Sequence, residues 1–508
     1  MDSVLIAAET PSSDPVNLAG SIARDRAVVV AVGTVGMDIE RKAYYEKELD
    51  FRISRSYGPG RYDSAYEQKG RDYPIGYIRW TENRNMEAFV GFLAERKINL
   101  SPLITHRFPI ERAESAYELI AGRSREPFLG VVIQYSGTCS DTRTLTLAPA
   151  PVQGIPAAGA KRVSVGLFGA GGFATSTLIP AMKASSNTFL VAVCAATGSH
   201  AQHAARKFGF HNSTTDEAEL INNPEINTVV IATRHYLHAK QVLVALAAGK
   251  NVFCEKPLCL SEAELREIVR AYLEITAAER PALMVGFNRR FAPMTARMKS
   301  FLSPISEPLA LHYRINAGSL PPDHWVNERE QGGGRILGEV CHFVDLLAFL
   351  AASPVVEVQA RPIGSSARYS GDNVVASLRF ANGSEGTIGY LANGDRAFSK
   401  ERIEVFGGGS TAVLDDFRRV EFVRHGRKET IRSRWRQDKG HRAEWEAFVR
   451  YIQEPKEPPI RFEDLVSSTL ATLRIDESVA TGEPLEVETV AFLETARRTP
   501  NLNPSRNE

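Results

Sequence analysis

Three short stretches of this 508-residue chain carry side chains whose types and spacing suit chemistry. Gly169-Ala170-Gly171-Gly172-Phe173-Ala174 has small residues at G-x-G-x-x-A spacing. The first glycine suits a tight turn, the second lets backbone approach a pyrophosphate, and the last small residue lets a helix pack on a strand. Glu255-Lys256-Pro257 follows an apolar run, so Lys256 stands where a strand ends. An ammonium there can polarise a carbonyl, act as general acid or base, or be a plain surface charge. As a base near neutral pH it would need a pKa well below the ordinary value of about 10.4. The third stretch runs from Gly332-Gly333-Gly334 to His342 and Asp345. The glycines permit close backbone approach to a ligand, and His342 and Asp345 share a helix face at i, i+3. An imidazole suits proton exchange with a hydroxyl or carbonyl; the plainer reading is a helix histidine paired with a helix aspartate. Five scattered cysteines (Cys139, Cys194, Cys254, Cys259, Cys341) without a CxxC pair offer no closed metal site.

The elements that must position these residues are legible from residue 161 onward. Apolar runs at 163–169, 189–195, 228–233, 251–254 and 282–287 alternate with helical patterns, the signature of a parallel sheet with crossover helices. The first glycine turn joins the first such strand to its helix, which makes 161–287 a Rossmann-type dinucleotide domain. Ser261 and Glu264 have the spacing of a capping box, with Leu265, Ile268, Val269 and Tyr272 on one face. After Phe287, short alternating strands and two helical patches, 342–350 and 441–452, predict an α+β domain over 288–508 with a mostly antiparallel open sheet. Residues 139–160, rich in Ala, Pro, Thr and Gly, read as a linker. Residues 1–138 alternate strand-like and helix-like signals, a partial α/β segment.

Charge is balanced, with 61 Lys+Arg against 60 Asp+Glu, which argues against a nucleic-acid binder held by phosphate neutralisation. The basic stretch Arg418 to Arg436 reads first as a solvated hairpin face. No apolar run is long enough to span a membrane, and Met1-Asp2 opens without a secretory pattern. With unpaired cysteines, the expected location is the cytoplasm. The end of the second strand, 194–199, lacks the acid that binds ribose hydroxyls. Thr197, Ser199, His200 and Arg206 favour a 2′-phosphate there, so of NAD and NADP the sequence leans to NADP.

The ordered combination GLFGAGGFA, ATRHYLHA, EKPL, GFNRRF and GGG…H-x-x-D over about 161–485 resembles the glucose–fructose oxidoreductase/inositol dehydrogenase (Gfo/Idh/MocA) family. The resemblance implies a Rossmann domain, a second domain whose sheet covers the nicotinamide, and hydride transfer between NAD(P) and a sugar, nucleotide sugar or cyclitol. It makes Lys256 and His342 the catalytic pair and places Gly169, Gly171, Thr233, His238 and Glu255 along the dinucleotide. Two departures stand out. The family's aspartate four residues before the histidine is Gly338 here, with Glu339 beside it, and its asparagine after the third strand is replaced by Arg234-His235. Glu339 can stand in only if the local turn redirects it. Arg289, Arg290, His324 and Trp325 are candidates to orient a polar substrate, with salt bridging as the other reading of the arginines.

Residues 1–138 resemble the carboxyl half of a medium-chain alcohol dehydrogenase, and such fusions resemble bi-domain oxidoreductases associated with surface-polysaccharide synthesis. The strand with Gly33 and Gly36 is expected as a sheet strand rather than a phosphate loop. A half-sheet with an unpaired edge favours association, so a docking role and a homo-oligomer are expected. The competing functional reading is a non-catalytic nucleotide-binding scaffold or sensor.

Overall fold

The computed structural model describes residues 1–68, 70–124, 126–135, 143–147, 162–321, 324–364, 373–433 and 437–498. The chain divides into two compact units, Met1–Ser140 and Asp141–Glu508.

The first unit holds a three-stranded parallel sheet, Ser3–Ile6, Val28–Ala31 and Asp50–Ile53 in that order, and a separate parallel pair, Ile104–Pro109 with Gly130–Gln134. Helix Asp14–Ile22 buries Val16 and Ala19 against Ile6, Val29 and Val35. A Cβ on Gly33 would lie 2.1 Å from the Ala8 carbonyl oxygen, and one on Gly36 would lie 2.6 Å from that of Pro11. Protein backbone fills the space over both glycines, so this turn is no phosphate cradle.

In the second unit, seven strands form one sheet in the order Leu283–Val285, Asn251–Cys254, Thr228–Ile231, Val163–Phe168, Thr188–Cys194, Asn212–Thr214 and Thr144–Thr146. All pairings are parallel except the last. The first strand, Val163–Phe168, lies between the second and third. Its carboxyl end is therefore the switch point where open α/β sheets bind ligands. Thr144–Thr146 corrects part of the linker expectation: its Thr-Leu-Thr run pairs antiparallel with Asn212–Thr214 and Leu147 packs on the core. Cys139 and most of the remaining linker lie outside the described residues. The capping box is formed, with Glu264 N–H donating to Ser261 Oγ at 3.2 Å and Ser261 N–H to Glu264 Oε2 at 3.1 Å. Ser261→Ala is expected to cost about 1 kcal/mol, read as a lower urea midpoint at unchanged slope.

The chain then builds a nine-stranded sheet, antiparallel except where Ala310–Asn316 pairs in parallel with Glu385–Leu391. Strand Val374–Phe380 alternates strictly: Val374, Ala376, Leu378 and Phe380 are buried, while Val375, Ser377 and Arg379 are exposed. One sheet face thus lies on the helices and the other is open. The buried face packs with helices Pro293–Leu302, Cys341–Ala351 and Phe462–Thr481 into a core continuous with the first sheet. Helix His441–Gln453 packs on the seven-stranded sheet: Trp445 and Phe448 each sit 5.6 Å from Phe253, and Trp445 Nε1 donates to Thr188 Oγ1 at 2.8 Å. The basic stretch is a hairpin, Arg419–Arg424 with Arg427–Arg432, whose Arg419 and Lys428 pair with Glu421; residues 434–436 lie outside the described residues. No helix among the described residues is long and apolar enough to cross a membrane.

Candidate active site

The glycine turn separates structural from reserved space. Gly169 has φ +90°, and a Cβ there would lie 2.5 Å from the Ala232 carbonyl oxygen, so the fold itself requires glycine. Gly171 and Gly172 are different: a Cβ on either would meet no atom within 4 Å. Nothing in the protein fills the space over them, and they lie at the switch point, so the turn fits a pyrophosphate pressed onto backbone. Ala170 is half-buried, Ala174 packs inward, and Phe173 is exposed with its ring 5.8 Å from that of His441. At the end of the second strand, Thr197 caps helix Gly198–Phe208, its hydroxyl accepting from His200 N–H at 3.4 Å. Arg206 is in that helix's last turn, about 10 Å from Ser199 along the axis. It shares a face with Ser199 at i, i+7, and its side chain leans back toward the helix N-terminus.

The turn after the third strand is bound into its surroundings. Thr233 Oγ1 donates to Gln241 Oε1 at 2.7 Å. His238 does not offer its ring to a ligand as expected. Its Nδ1 lies 2.7 Å from the Pro257 carbonyl and its Nε2 3.2 Å from that of Thr233. Burial pushes it down to about 4, so it is neutral and donates one bond, the shorter one, to Pro257. It acts by joining the Thr233 and Lys256 turns. Arg234 donates to Gln331 and lies 5.5 Å over the Trp325 ring, while His235 sits 4.8 Å from the same ring. His324 stacks on Trp325 at 5.9 Å, at the edge of this cluster.

His235 also accounts for the missing aspartate. Its Nδ1 donates to the Gly332 carbonyl at 2.7 Å, and a Cβ on Gly338 would lie 2.9 Å from its Cε1. The two departures are thus one exchange, a ring entering the space that a side chain at 338 would need. Two glycines of the three-glycine stretch are packed by protein: a Cβ on Gly332 would lie 2.4 Å from Val326 Cα, and one on Gly333 would lie 2.5 Å from Leu260 Cδ2, whereas one on Gly334 would meet no atom within 4 Å. The expectation of glycines held open for a ligand is corrected at Gly332 and Gly333 and stands at Gly334.

Lys256 Nζ donates to the Gly338 carbonyl at 2.7 Å, which fixes the ammonium on the turn that leads into the histidine helix. Residues Ile336–Val340 of that turn are π-helical, and helix Cys341–Ala351 follows. The wider turn redirects side chains relative to α-helical spacing. Burial alone would raise the Glu339 carboxyl, yet Arg335, Lys400 and Lys256 together hold it below its usual range. Arg335 Nη2 reaches Glu339 at 3.3 Å. Glu339 is therefore an ionised carboxylate near Lys256. Glu255 is buried against Gly286, whose Cβ would lie 3.0 Å from its carboxyl; burial, opposed by Lys256, pushes it up to about 7.

His342 is 7% exposed, lies 6.2 Å from Phe287, and its Nδ1 is buried with no hydrogen-bond partner. Burial, then the positive charges of Arg289 and Lys256, hold it well below 6.5, so the ring is neutral and able to accept a proton. Asp345 does not serve it. Fully buried, Asp345 takes Arg290 Nε at 3.0 Å and a second bond from Nη2. Arg289 is bound to Glu401 at 2.8 and 3.0 Å. For both arginines the salt-bridge reading describes the placement of Nε and Nη2. Sequence reading missed Lys400 and His441, which reach the site only through tertiary placement; no local spacing marks them.

Four imidazoles, His235, His238, His342 and His441, are held below the ordinary value by burial. Below about pH 6.5 the unfolded chain therefore binds more protons at these sites. Their stabilisation is complete above that pH and is lost as pH falls towards 4. Five carboxyls pushed upward by burial, Glu255, Glu444, Asp345, Asp416 and Asp476, act in the opposite sense, so the pH dependence of stability is the balance of the two sets.

Residues 163–279 match the GFO/IDH/MocA oxidoreductase family, NAD-binding Rossmann fold, and residues 304–413 match the GFO/IDH/MocA C-terminal domain. The inositol 2-dehydrogenase of Rhizobium meliloti is 30% identical over 267 residues, 51% of this chain and 77% of that protein. The levoglucosan dehydrogenase of Pseudarthrobacter phenanthrenivorans is 28% identical over 251 residues, 44% of this chain and 63% of that protein. The 1,5-anhydro-D-fructose reductase of Ensifer adhaerens is 30% identical, with 43% of this chain and 66% of that protein covered. The chain thus spans just under two thirds of the latter two relatives. A solved levoglucosan dehydrogenase in complex with NADH shares the fold at TM-score 0.57 and 24% identity, covering 64% of this chain and 99% of that one. From the reserved glycine turn to the histidine helix, the sequence and its matches agree: the chain belongs to the Gfo/Idh/MocA oxidoreductase family.

Proposed function

We propose that the second unit is an NAD(P)-dependent oxidoreductase of CH–OH groups in sugar-like or cyclitol-like compounds. The observation that carries this reading is the meeting of Lys256, neutral His342 and ionised Glu339 around one turn, next to a glycine turn with reserved space. Gly171 and Gly172 would hold the pyrophosphate of a dinucleotide, whose nicotinamide would supply the hydride acceptor or donor. Lys256 donates a hydrogen bond to the substrate oxygen and stabilises negative charge that develops there. His342, already neutral, accepts the hydroxyl proton during oxidation and returns it during reduction. Glu339, held ionised by Arg335, Lys400 and Lys256, places an anion near the Lys256 turn. The relatives' names place anhydrosugars and inositols among the compounds to try first.

The same seat is read as taking NADP(H) as well as NAD(H), because the second strand itself runs out through Cys194, Ala195, Ala196 and Thr197 without an acid, the nearby carboxylates Asp216, Glu217 and Glu219 belonging to the following strand's turn and helix. Calorimetric titration with each cofactor tests this. One site per chain for both is expected; binding of NAD(H) alone would overturn the NADP(H) reading, and no binding would contradict the enzyme and the nucleotide-binding scaffold alike.

The first unit is read as a medium-chain dehydrogenase-like segment that docks rather than catalyses. Its parallel strands and the exposed apolar side chains of helix Glu82–Ala94, such as Phe89 and Val90, support that role. A second cofactor site in the titration would contradict it. The four described cysteines, all buried and unpaired, suit a reducing compartment such as the cytoplasm.

A further inference from the structure

At the far end of the histidine helix, about 10 Å along its axis from His342, the protein has a partly open pocket of about 230 Å³. Lys256, Glu339 and His342 do not border it. Its polar wall is Arg290, Lys299, Arg461, Asp464, Ser467 and Ser468, three cations against one carboxylate. Arg461 is held by Asp464 at 2.9 and 3.2 Å. Arg290 is held from behind by Asp345 through Nε and Nη2, which leaves Nη1 uncommitted.

Lys299 has no carboxylate partner among the described residues. Its Nζ donates to the Leu350 carbonyl at 3.2 Å and lies 5.3 Å from the Phe349 ring centre. Burial, then the charge of Arg290, holds its pKa below the usual lysine range. Ser467 is 4% exposed, and its Oγ has no hydrogen-bond partner. A half-buried ammonium without a counterion and a buried hydroxyl without a partner each cost free energy. Both line the same void, and an oxyanion there satisfies both while accepting from Arg290. At about 30 Å³ per water, the cavity has the room of seven or so waters, enough for a phosphate group with a few carbons attached.

The geometry points to this cavity as a binding site for phosphate, free or as a small phosphate monoester, separate from the dinucleotide seat. The test is calorimetric titration of the full chain with inorganic phosphate and with glycerol 3-phosphate. It is run at matched ionic strength, with and without saturating NADH. One site per chain is expected to persist with NADH bound and to weaken at least about tenfold in Lys299→Met. Ser467→Ala, which removes only an unpartnered hydroxyl, should weaken it by a few-fold while folding normally. Tighter binding of the monoester identifies the ester as ligand, and equal binding identifies the free ion. Displacement by NADH, absence of saturable heat, or equal binding in both variants would overturn the site.

Discussion

Lys256→Met is expected to slow hydride transfer by about 10³-fold, at a cofactor affinity close to that of the parent chain. Methionine keeps most of the volume of the side chain and removes the charge. Lys256 is anchored by the Gly338 carbonyl at 2.7 Å, close enough to Glu339 to help hold that carboxyl down, and in the proposed mechanism it acts where charge develops on the substrate oxygen. The dinucleotide cradle is formed by other residues, Gly171 and Gly172 above all. Loss of turnover with retained binding separates a catalytic lysine from a structural one. Full activity in the variant would remove Lys256 from the mechanism.

The largest expected stability effect lies at Glu401. Its carboxylate is fully buried and accepts from Arg289 at 2.8 and 3.0 Å, from Lys439 at 2.7 Å and from the Tyr313 hydroxyl. These two cations hold it far below its usual pKa despite its burial. Glu401→Ala leaves both charges buried without a counterion, at a cost of about 3–5 kcal/mol. The melting temperature should fall by about 10 °C, or the chain should fail to accumulate. Glu404→Gln is the control, because its pair with Arg402 is solvent-exposed and should change stability by less than about 1 kcal/mol. Equal losses in the two variants would contradict the buried network.

What the sequence could show depended on range. The Rossmann order and the capping box were legible because strand, turn and helix signals lie within a few residues of each other. Asp345 was misleading: its i, i+3 spacing to His342 is local, while its partner Arg290 lies 55 residues away. Helix Phe462–Thr481 went unread because Ser467, Ser468, Thr469 and Thr472 interrupt its apolar stripe. Thr469 and Thr472 are nonetheless buried, donating to the carbonyls of Leu465 and Ser468 at 2.8 and 2.7 Å. The exchange between His235 and Gly338 was visible only as two separate departures, because the residues meet across about a hundred positions of chain.

The most direct test of the catalytic account is steady-state nicotinamide turnover with anhydrosugars, inositols and their keto forms, the parent chain beside His342→Asn. The account expects the parent to turn over at least one of them. The variant should be slower by about 10²–10⁴-fold, with cofactor affinity unchanged. A parent that binds cofactor but turns over none of these compounds, or a variant as fast as the parent, would contradict it.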